Sequence, residues 1–480
     1  MNTYTRLAVF QIVYQFLLRI VTFVINATVL RYTTHAILGI INVRLTLFYQ
    51  TALFLAREPL RNKAAREGYS ANDHKNSISK NLLTILGVLL FWLWTKNENL
   101  IELSIISFGV FIELCSEDVY LSLQAQNRLE NAVKTETQSH ILRTCLFGLL
   151  VTLLLNDQSS HVLVFAICLL LGSIFYFFTL RRFQSDSINV SPKAENVQVS
   201  LSVLTFQQYL KQALTEAQGY LMTFTTALSP SEQGVFDTVN SLASLPARFL
   251  FQPIEKSAFQ FCTHCDASDP NFDTKLQLIL RCVNAIAIMM ACFGTTLAET
   301  ALRIYSGSDS LAESGGAKVF SLLCIYQIPL ALNGISEAIA NAKMDAKQMK
   351  THNLIYVISS CAVVGVSWLG LFLGKGGSSF VFANMLAMLI RIGWNMYIWS
   401  TLSTSTFLML LLKTLPKMSF LVVVFGSWFI MTWVVSVGSI LLILFSTAVL
   451  AGITVMAYIF SEVQVLDFLR VSIKKFLKYE

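Results

Sequence analysis

The feature that most constrains this chain is a series of apolar windows, each long enough to form a helix that crosses a bilayer. The windows fall at about 7–29, 36–56, 78–95, 100–125, 138–155, 160–180, 201–228, 233–262, 276–302, 317–342, 352–373 and 379–402, with two more between 418 and 458. About fourteen spans therefore occupy these 480 residues, and they leave no room for a soluble catalytic domain.

Composition supports the same fold class, because 55% of the residues are hydrophobic and only 13% are charged. We predict an all-α polytopic membrane protein of about 14 transmembrane helices, in two six-helix lobes plus two C-terminal helices. The predicted parts are an N-lobe at 1–182, a cytoplasmic linker at 183–200, a C-lobe at 201–403, two further spans at 404–460 and a cytoplasmic amphipathic helix at 461–480.

Basic residues predict the orientation of these spans. Of the 35 Lys and Arg residues, 24 fall in loops on the side of the N-terminus and five fall in the opposite loops. Because positive loops stay in the cytoplasm, we expect a multi-pass protein with both termini cytoplasmic. The net charge of +7 then faces anionic membrane lipids, and no nucleic acid is expected as a partner.

Six basic residues fall inside predicted spans, where a charge costs at least about 2.5 kcal/mol. They are Arg19, Arg44, Lys211, Arg248, Lys256 and Arg391. Arg248, Gln252 and Glu255 share one helical face, and the nearby Pro246 and Pro253 are expected to loosen that helix. Since the guanidinium fork matches phosphate oxygens, we expect a water-filled cavity for an anionic cargo; polar contacts between helices are the alternative.

Motifs for enzyme chemistry are not recognisable. The segment Gly370 to Gly376 has the wrong spacing for a phosphate-binding loop. Cys262 and Cys265 lack a second pair of ligands for a structural zinc ion. We therefore expect a transporter that is not an enzyme and that uses no cofactor and no metal.

Three segments resemble a known family. They are Leu47 to Gly68 (LFYQTALFLAREPLRNKAAREG), Gln233 to Phe261 (QGVFDTVNSLASLPARFLFQPIEKSAFQF) and Leu332 to Ala338 (LNGISEA). On these segments the chain is similar to the endoplasmic-reticulum family implicated in flipping the dolichol-linked heptasaccharide precursor of N-glycosylation. That family belongs to the multidrug, oligosaccharidyl-lipid and polysaccharide (MOP) flippase superfamily.

The resemblance implies a MATE-like fold with two lobes around a central cavity. It also implies that Man5GlcNAc2-diphosphodolichol moves from the cytoplasmic to the lumenal leaflet of the endoplasmic reticulum by ATP-independent alternating access. Together with the polar faces above, it implies substrate-binding residues and a cytoplasmic loop motif, Arg57 and Arg61. The substrate-binding set is Arg19, Arg31, Arg44, Glu216, Arg248, Gln252, Glu255 and Arg391.

Two alternatives stay open at this point. A non-transporting accessory protein would supply or hand over the glycolipid, with other N-glycosylation proteins as partners. It would depend on exposed cytoplasmic positions such as Arg57 and Arg61. A MATE-like antiporter would need unpaired carboxylates for coupling, and Glu113, Glu117 and Asp118 are the available cluster.

Overall fold

Helices joined by short connections form the described part of the chain, as the apolar windows predict. The computed structural model describes residues 22–67, 82–93, 99–125, 129–153, 160–183, 209, 212–225, 227–264, 272–403 and 406–462, and these ranges contain no strand. Eight helices within them are long and apolar enough to cross a membrane. The protein is therefore an all-α, multi-pass membrane protein, while the total of about fourteen spans stays a prediction.

Some predicted features lie outside these ranges. They are Arg19, residues 184–200 of the predicted linker, and residues 463–480 of the predicted amphipathic helix.

The chain divides into two compact units, and the first ends at Gly234. Helix α2 of this unit begins at His35–Leu38, passes through a π-helical segment at Gly39–Leu45 and continues as Thr46–Glu67. The other helices are α1 (22–32), α3 (Leu82–Leu93), α4 (Leu100–Leu114), α5 (Glu117–Ala125), α6 (Leu129–Leu153), α7 (His161–Arg181), α8 (Ala217–Phe224) and the start of α9 (Pro230–Ala243).

The window at 100–125 predicts a single helix, but the structure has a break between α4 and α5 at Cys115 and Ser116. A break leaves backbone carbonyl groups without helical donors. Here the Ser116 hydroxyl donates to the Glu113 carbonyl at 2.9 Å, and Arg181 donates to the Cys115 carbonyl at 2.7 Å. These contacts supply donors to two of the carbonyl groups at the turn between α4 and α5.

Two glycines allow α2 and α9 to cross closely. A Cβ added to Gly39 would lie 1.9 Å from the Pro230 carbonyl oxygen, and one added to Gly234 would lie 1.9 Å from the His35 carbonyl oxygen. Small residues at such a crossing let helix backbones approach, which is a common way to pack helices in membranes. No other residue type fits at either position without moving a helix.

The second unit begins at Val235. A π-helical segment at Ala247–Phe251 leads into α10 (Gln252–His264). The helices that follow are α11 (Phe272–Thr296), α12 (Ala298–Ser306), α13 (Ala317–Lys343), α14 (Ala346–Phe372), α15 (Ser378–Leu402), α16 (Phe407–Lys413), α17 (Met418–Val437) and α18 (Ile440–Ser461). The split between α17 and α18 at Gly438 and Ser439 confirms the two C-terminal helices expected there.

Local sequence explains several of these boundaries. Pro246 and Pro253 flank the π-helical segment, as expected from residues that cannot donate a backbone hydrogen bond. Asp345 and Gln348 form a reciprocal capping box at the start of α14. Side chains at these positions thus account for the start of α10 and of α14.

The core of the second unit forms around Trp399 on α15, which is fully buried. Its indole nitrogen donates to Asp273 on α11 at 3.0 Å, so the large apolar ring is buried with its polar atom paired. By contrast, α17 and α18 expose large apolar side chains such as Phe429, Leu441 and Phe460. Helices with this much exposed apolar surface are suited to lipid.

Candidate functional site

A buried network of ion pairs lies in the first unit. Arg57 and Arg61 lie one turn apart on α2, and Glu113 and Glu117 are also four residues apart. Arg57 Nη2 lies 2.7 Å from a Glu113 carboxylate oxygen, and Arg57 Nε lies 3.1 Å from Glu117. Arg61 contacts both oxygens of Glu117, at 2.5 and 3.2 Å. The two arginines are thereby held by protein carboxylates.

Glu113 is the shared acceptor of this network. Its carboxylate accepts hydrogen bonds from Tyr49 at 2.7 Å, from Arg57 at 2.7 Å, from Arg143 at 2.5 Å and from Ser173 at 2.8 Å. Only 2% of the side chain is exposed. Because a buried charge is tolerated when it is paired and hydrogen-bonded, these contacts hold α2, α4, α6 and α7 together.

The structure corrects the placement of Arg57 and Arg61. The expectation that they lie in an exposed cytoplasmic loop is wrong, since both are on α2 and Arg57 is only 6% exposed. The sequence does contain one signal for this pairing. The two arginines are four residues apart, and so are Glu113 and Glu117, so that one pair can face the other. Arg143 on α6 is a further member of the network.

A polar pocket of about 390 Å³ adjoins the network. Its walls come from α2, from α6 and from the segment before α8, where the helix is interrupted at Glu216. Glu216 was predicted to bind substrate, and it shares this pocket with Arg57 and Arg61. Glu136 and Gln212 also line the pocket, and the sequence patterns did not single them out as site residues.

Arg44 has a different environment. It lies in the π-helical segment of α2, is buried, and donates from Nε to the Gln233 side chain at 3.3 Å. The amide nitrogen of Gln233 in turn donates to the carbonyl groups of Met222 and Leu228. Arg44 is thus connected to the polypeptide that links α8 to α9.

A second polar cluster surrounds Arg391 on α15. Its Nε donates to the Ser359 hydroxyl at 2.9 Å, and its guanidinium carbon lies 4.3 Å from the centre of the Tyr356 ring. No described residue accepts a hydrogen bond from its two terminal nitrogens. Cation–π stacking and one hydrogen bond therefore fix the group while its terminal nitrogens stay available.

Hydrogen bonds between polar side chains continue this cluster within the second unit. Asn395 donates to Asn333 at 3.4 Å, and Asn333 donates to Glu337 at 2.9 Å. Glu255 on α10 packs against Gly334, where an added Cβ would lie 2.8 Å from its carboxylate. Glu255 therefore contacts α13 at the residue that follows Asn333.

The remaining predicted residues are on exposed surface. Arg248 lies in the π-helical segment before α10 and Gln252 is the first residue of α10, and both are exposed. Arg31 is exposed near the end of α1. The predicted set is thus distributed over both units, and Glu216 is the member that shares a pocket with the Arg57 and Arg61 pair.

The apolar spanning helices and the buried arginine–carboxylate network define an all-α, multi-pass membrane protein. The structure is similar to a lipid II flippase MurJ in an inward closed conformation, with a TM-score of 0.65, 15% identity, and coverage of 95% of this chain and 99% of that chain. It is also similar to an inward-facing MATE family multidrug resistance transporter, with a TM-score of 0.54, 12% identity and coverage of 80% and 96%. These likenesses concern the fold alone.

The chain belongs to the Rft protein family, whose model matches residues 3–471. It is 31% identical over 436 residues to the Man(5)GlcNAc(2)-PP-dolichol translocation protein RFT1 of Xenopus tropicalis, covering 81% of this chain and 80% of that protein. The protein of the same name from Mus musculus is also 31% identical, with the same coverage. The Drosophila melanogaster relative is 28% identical, with 81% and 83% covered.

Proposed function

We propose that this protein translocates Man5GlcNAc2-diphosphodolichol from the cytoplasmic to the lumenal leaflet of the endoplasmic reticulum. The observation that carries the proposal is the 31% identity, over about four-fifths of both chains, to relatives named for translocating this glycolipid. The movement is ATP-independent alternating access, in keeping with the absence of a recognisable phosphate-binding loop in the sequence.

Arg391 is the first candidate for contact with the diphosphate. Ser359 and Tyr356 hold its guanidinium group, and its terminal nitrogens have no acceptor among the described residues. Two parallel hydrogen bonds from such a fork suit two phosphate oxygens. The exposed Arg31 and Arg248 are further candidates, together with Arg19.

Other predicted residues take supporting roles in this proposal. Gln252 and Glu255 follow Arg248 on the same helical face, where they contact the polar part of the cargo. Arg44 supports the site indirectly, because its guanidinium group is already bonded to Gln233.

The ion pairs of the first unit disfavour the antiporter alternative. Coupling by a carboxylate requires a group that exchanges its cation during transport. Glu113 and Glu117 are instead buried against arginines, and Asp118 lies 3.4 Å from Arg181. These carboxylates therefore suit a structural role better than a role in coupling cation exchange to transport.

The proposed setting is the endoplasmic-reticulum membrane, with both termini in the cytoplasm. Membrane lipids surround the spans, and the dolichol-diphosphate-linked oligosaccharide is the cargo. Under the accessory alternative, other N-glycosylation proteins are the partners.

Sealed endoplasmic-reticulum vesicles test the proposal. Vesicles from cells depleted of their own family member are compared with and without this chain, and an added α-mannosidase digests the glycolipid that faces outward. The chain is expected to increase the protected, lumenal fraction, and Arg391→Ala is expected to abolish that increase at equal protein abundance. An unchanged protected fraction with the wild-type chain contradicts the proposal.

A further inference from the structure

The pocket of about 390 Å³ in the first unit has a wall chemistry that differs from that of a phosphate site. Its polar lining includes Gln50, Glu58, Glu136, Gln212 and Glu216. Within the part of the chain whose side chains are described, the side chains of Gln50, Glu58 and Glu216 form no hydrogen bond. The pocket therefore presents carboxylate and amide groups that are available to a ligand.

Among the described side chains at this pocket, carboxylates outnumber guanidinium groups. Arg57 and Arg61 face the pocket, but their guanidinium groups already contact Glu113 and Glu117. With Arg143 included, three guanidinium groups are set against five carboxylates, because Glu58, Glu136 and Glu216 add to the buried pair. An excess of negative charge repels a diphosphate, since like charges in a partly desolvated site are costly.

Neutral polyols match this lining better. Each sugar hydroxyl both donates and accepts a hydrogen bond, a carboxylate accepts, and an amide does both. Tyr49, Leu53 and Phe54 supply apolar surface on the same wall, which can pack against the carbon face of a sugar ring. A mixture of apolar wall and a few polar groups is typical of small-molecule sites.

We propose that this pocket, here called the glycan pocket, binds mannose residues of the neutral oligosaccharide while the diphosphate is bound elsewhere. The proposal deepens the proposed function and rests on it, because the oligosaccharide is the head group of the cargo. Arg57 and Arg61 act as positioning residues here: they fix α2 against α4 and α5 and neutralise Glu113 and Glu117. Glu58, Glu216 and Gln212 make the contacts with sugar hydroxyl groups.

Binding of the free Man5GlcNAc2 oligosaccharide tests the glycan pocket without requiring translocation. Saturation-transfer NMR on the purified full chain in detergent is expected to show contact with mannose protons, and excess inorganic diphosphate is expected not to displace the glycan. Glu216→Gln replaces a charge-assisted hydrogen bond by a neutral one and is expected to weaken glycan binding about tenfold. Glu102→Gln, on α4 and outside the pocket, is the matched control and should bind as the wild type does.

A second pair of variants tests the charge argument. Glu58→Gln combined with Glu216→Gln removes the excess negative charge, so inorganic diphosphate is expected to begin to compete with the glycan. Gln212→Ala keeps the charge of the pocket and removes an amide group. It is expected to weaken glycan binding, and inorganic diphosphate is expected not to compete. Thermal unfolding of each variant shows that its fold is retained.

The outcomes separate this proposal from the proposed function. If the protein binds the glycan but does not translocate the glycolipid, the glycan pocket is supported and the translocation proposal is contradicted. Translocation with full glycan affinity in both Glu216→Gln and Gln212→Ala overturns the glycan pocket and leaves translocation standing. Displacement of the glycan from the wild type by inorganic diphosphate, or binding of an organic cation in place of the glycan, likewise overturns it.

Discussion

Replacing Glu113 by Gln removes the carboxylate that four side chains share inside the first unit. Arg57 and Arg143 donate to it directly, and its own exposure is 2%. Breaking a buried ion pair by removing one partner costs about 3 to 5 kcal/mol, because the other charge is left uncompensated. Arg57 keeps its contact with Glu117, so we expect a loss of about 3 kcal/mol in the free energy of unfolding.

Thermal unfolding of the purified protein in detergent, followed by tryptophan fluorescence, measures this loss. For a unit of this length, each kcal/mol lowers the melting temperature by about 2 to 4 °C, so Glu113→Gln is expected to unfold about 6 to 12 °C below the wild type. Glu102→Gln changes a carboxylate in the first turn of the same helix that has no side-chain hydrogen bond among the described residues. We expect that control to shift by less than about 2 °C.

A double-mutant cycle separates the ion pair from other effects of the substitution. Glu113→Gln and Arg57→Gln are measured singly and together, and the double variant is expected to lose at least about 1 kcal/mol less than the sum of the single losses. A Glu113→Gln melting temperature within about 2 °C of the wild type, or strictly additive losses, refutes the view that this pair holds the unit together.

Three further predictions concern packing, the second unit and the cargo. The Cβ of Gly39→Ala meets the backbone of α9, so this change is expected to lower the free energy of unfolding by about 1 to 3 kcal/mol and with it the melting temperature. The control is Gly87→Ala, whose Cβ meets nothing within 4 Å and which is expected to be neutral or stabilising. Asp273→Ala leaves the buried Trp399 indole without its acceptor and is expected to cost about 1 to 3 kcal/mol by the same assay. Arg391→Lys loses the two-pronged fork and is expected to slow glycolipid translocation about tenfold at unchanged abundance.

The sequence predicts the fold class well, because spanning helices are encoded by long apolar windows. It also predicts the loosened helix between Pro246 and Pro253 and the split between α17 and α18. It misses the break at Cys115 and Ser116. A window average takes no account of the local contact of Ser116 or the tertiary contact of Arg181, which satisfy carbonyl groups at the break.

The candidate site is predicted less completely. Arg57 and Arg61 are described by the loop pattern as cytoplasmic charges, yet their burial depends on partners more than fifty residues away on α4 and α5. Charge counting treats each helix alone and cannot tell that these arginines are already neutralised. Glu216, which the sequence predicts as a substrate-binding residue, lines the pocket, and folding places Gln212 and Glu136 beside it.

Reconstitution of the purified chain into liposomes that contain labelled Man5GlcNAc2-diphosphodolichol tests the central claim most directly. A membrane-impermeant lectin reports the rate at which glycolipid from the inner leaflet reaches the outer surface. We predict rapid exposure with the wild-type chain and exposure at the rate of protein-free liposomes with Arg391→Ala. Equal rates in liposomes with and without the wild-type chain contradict translocation and favour the accessory role.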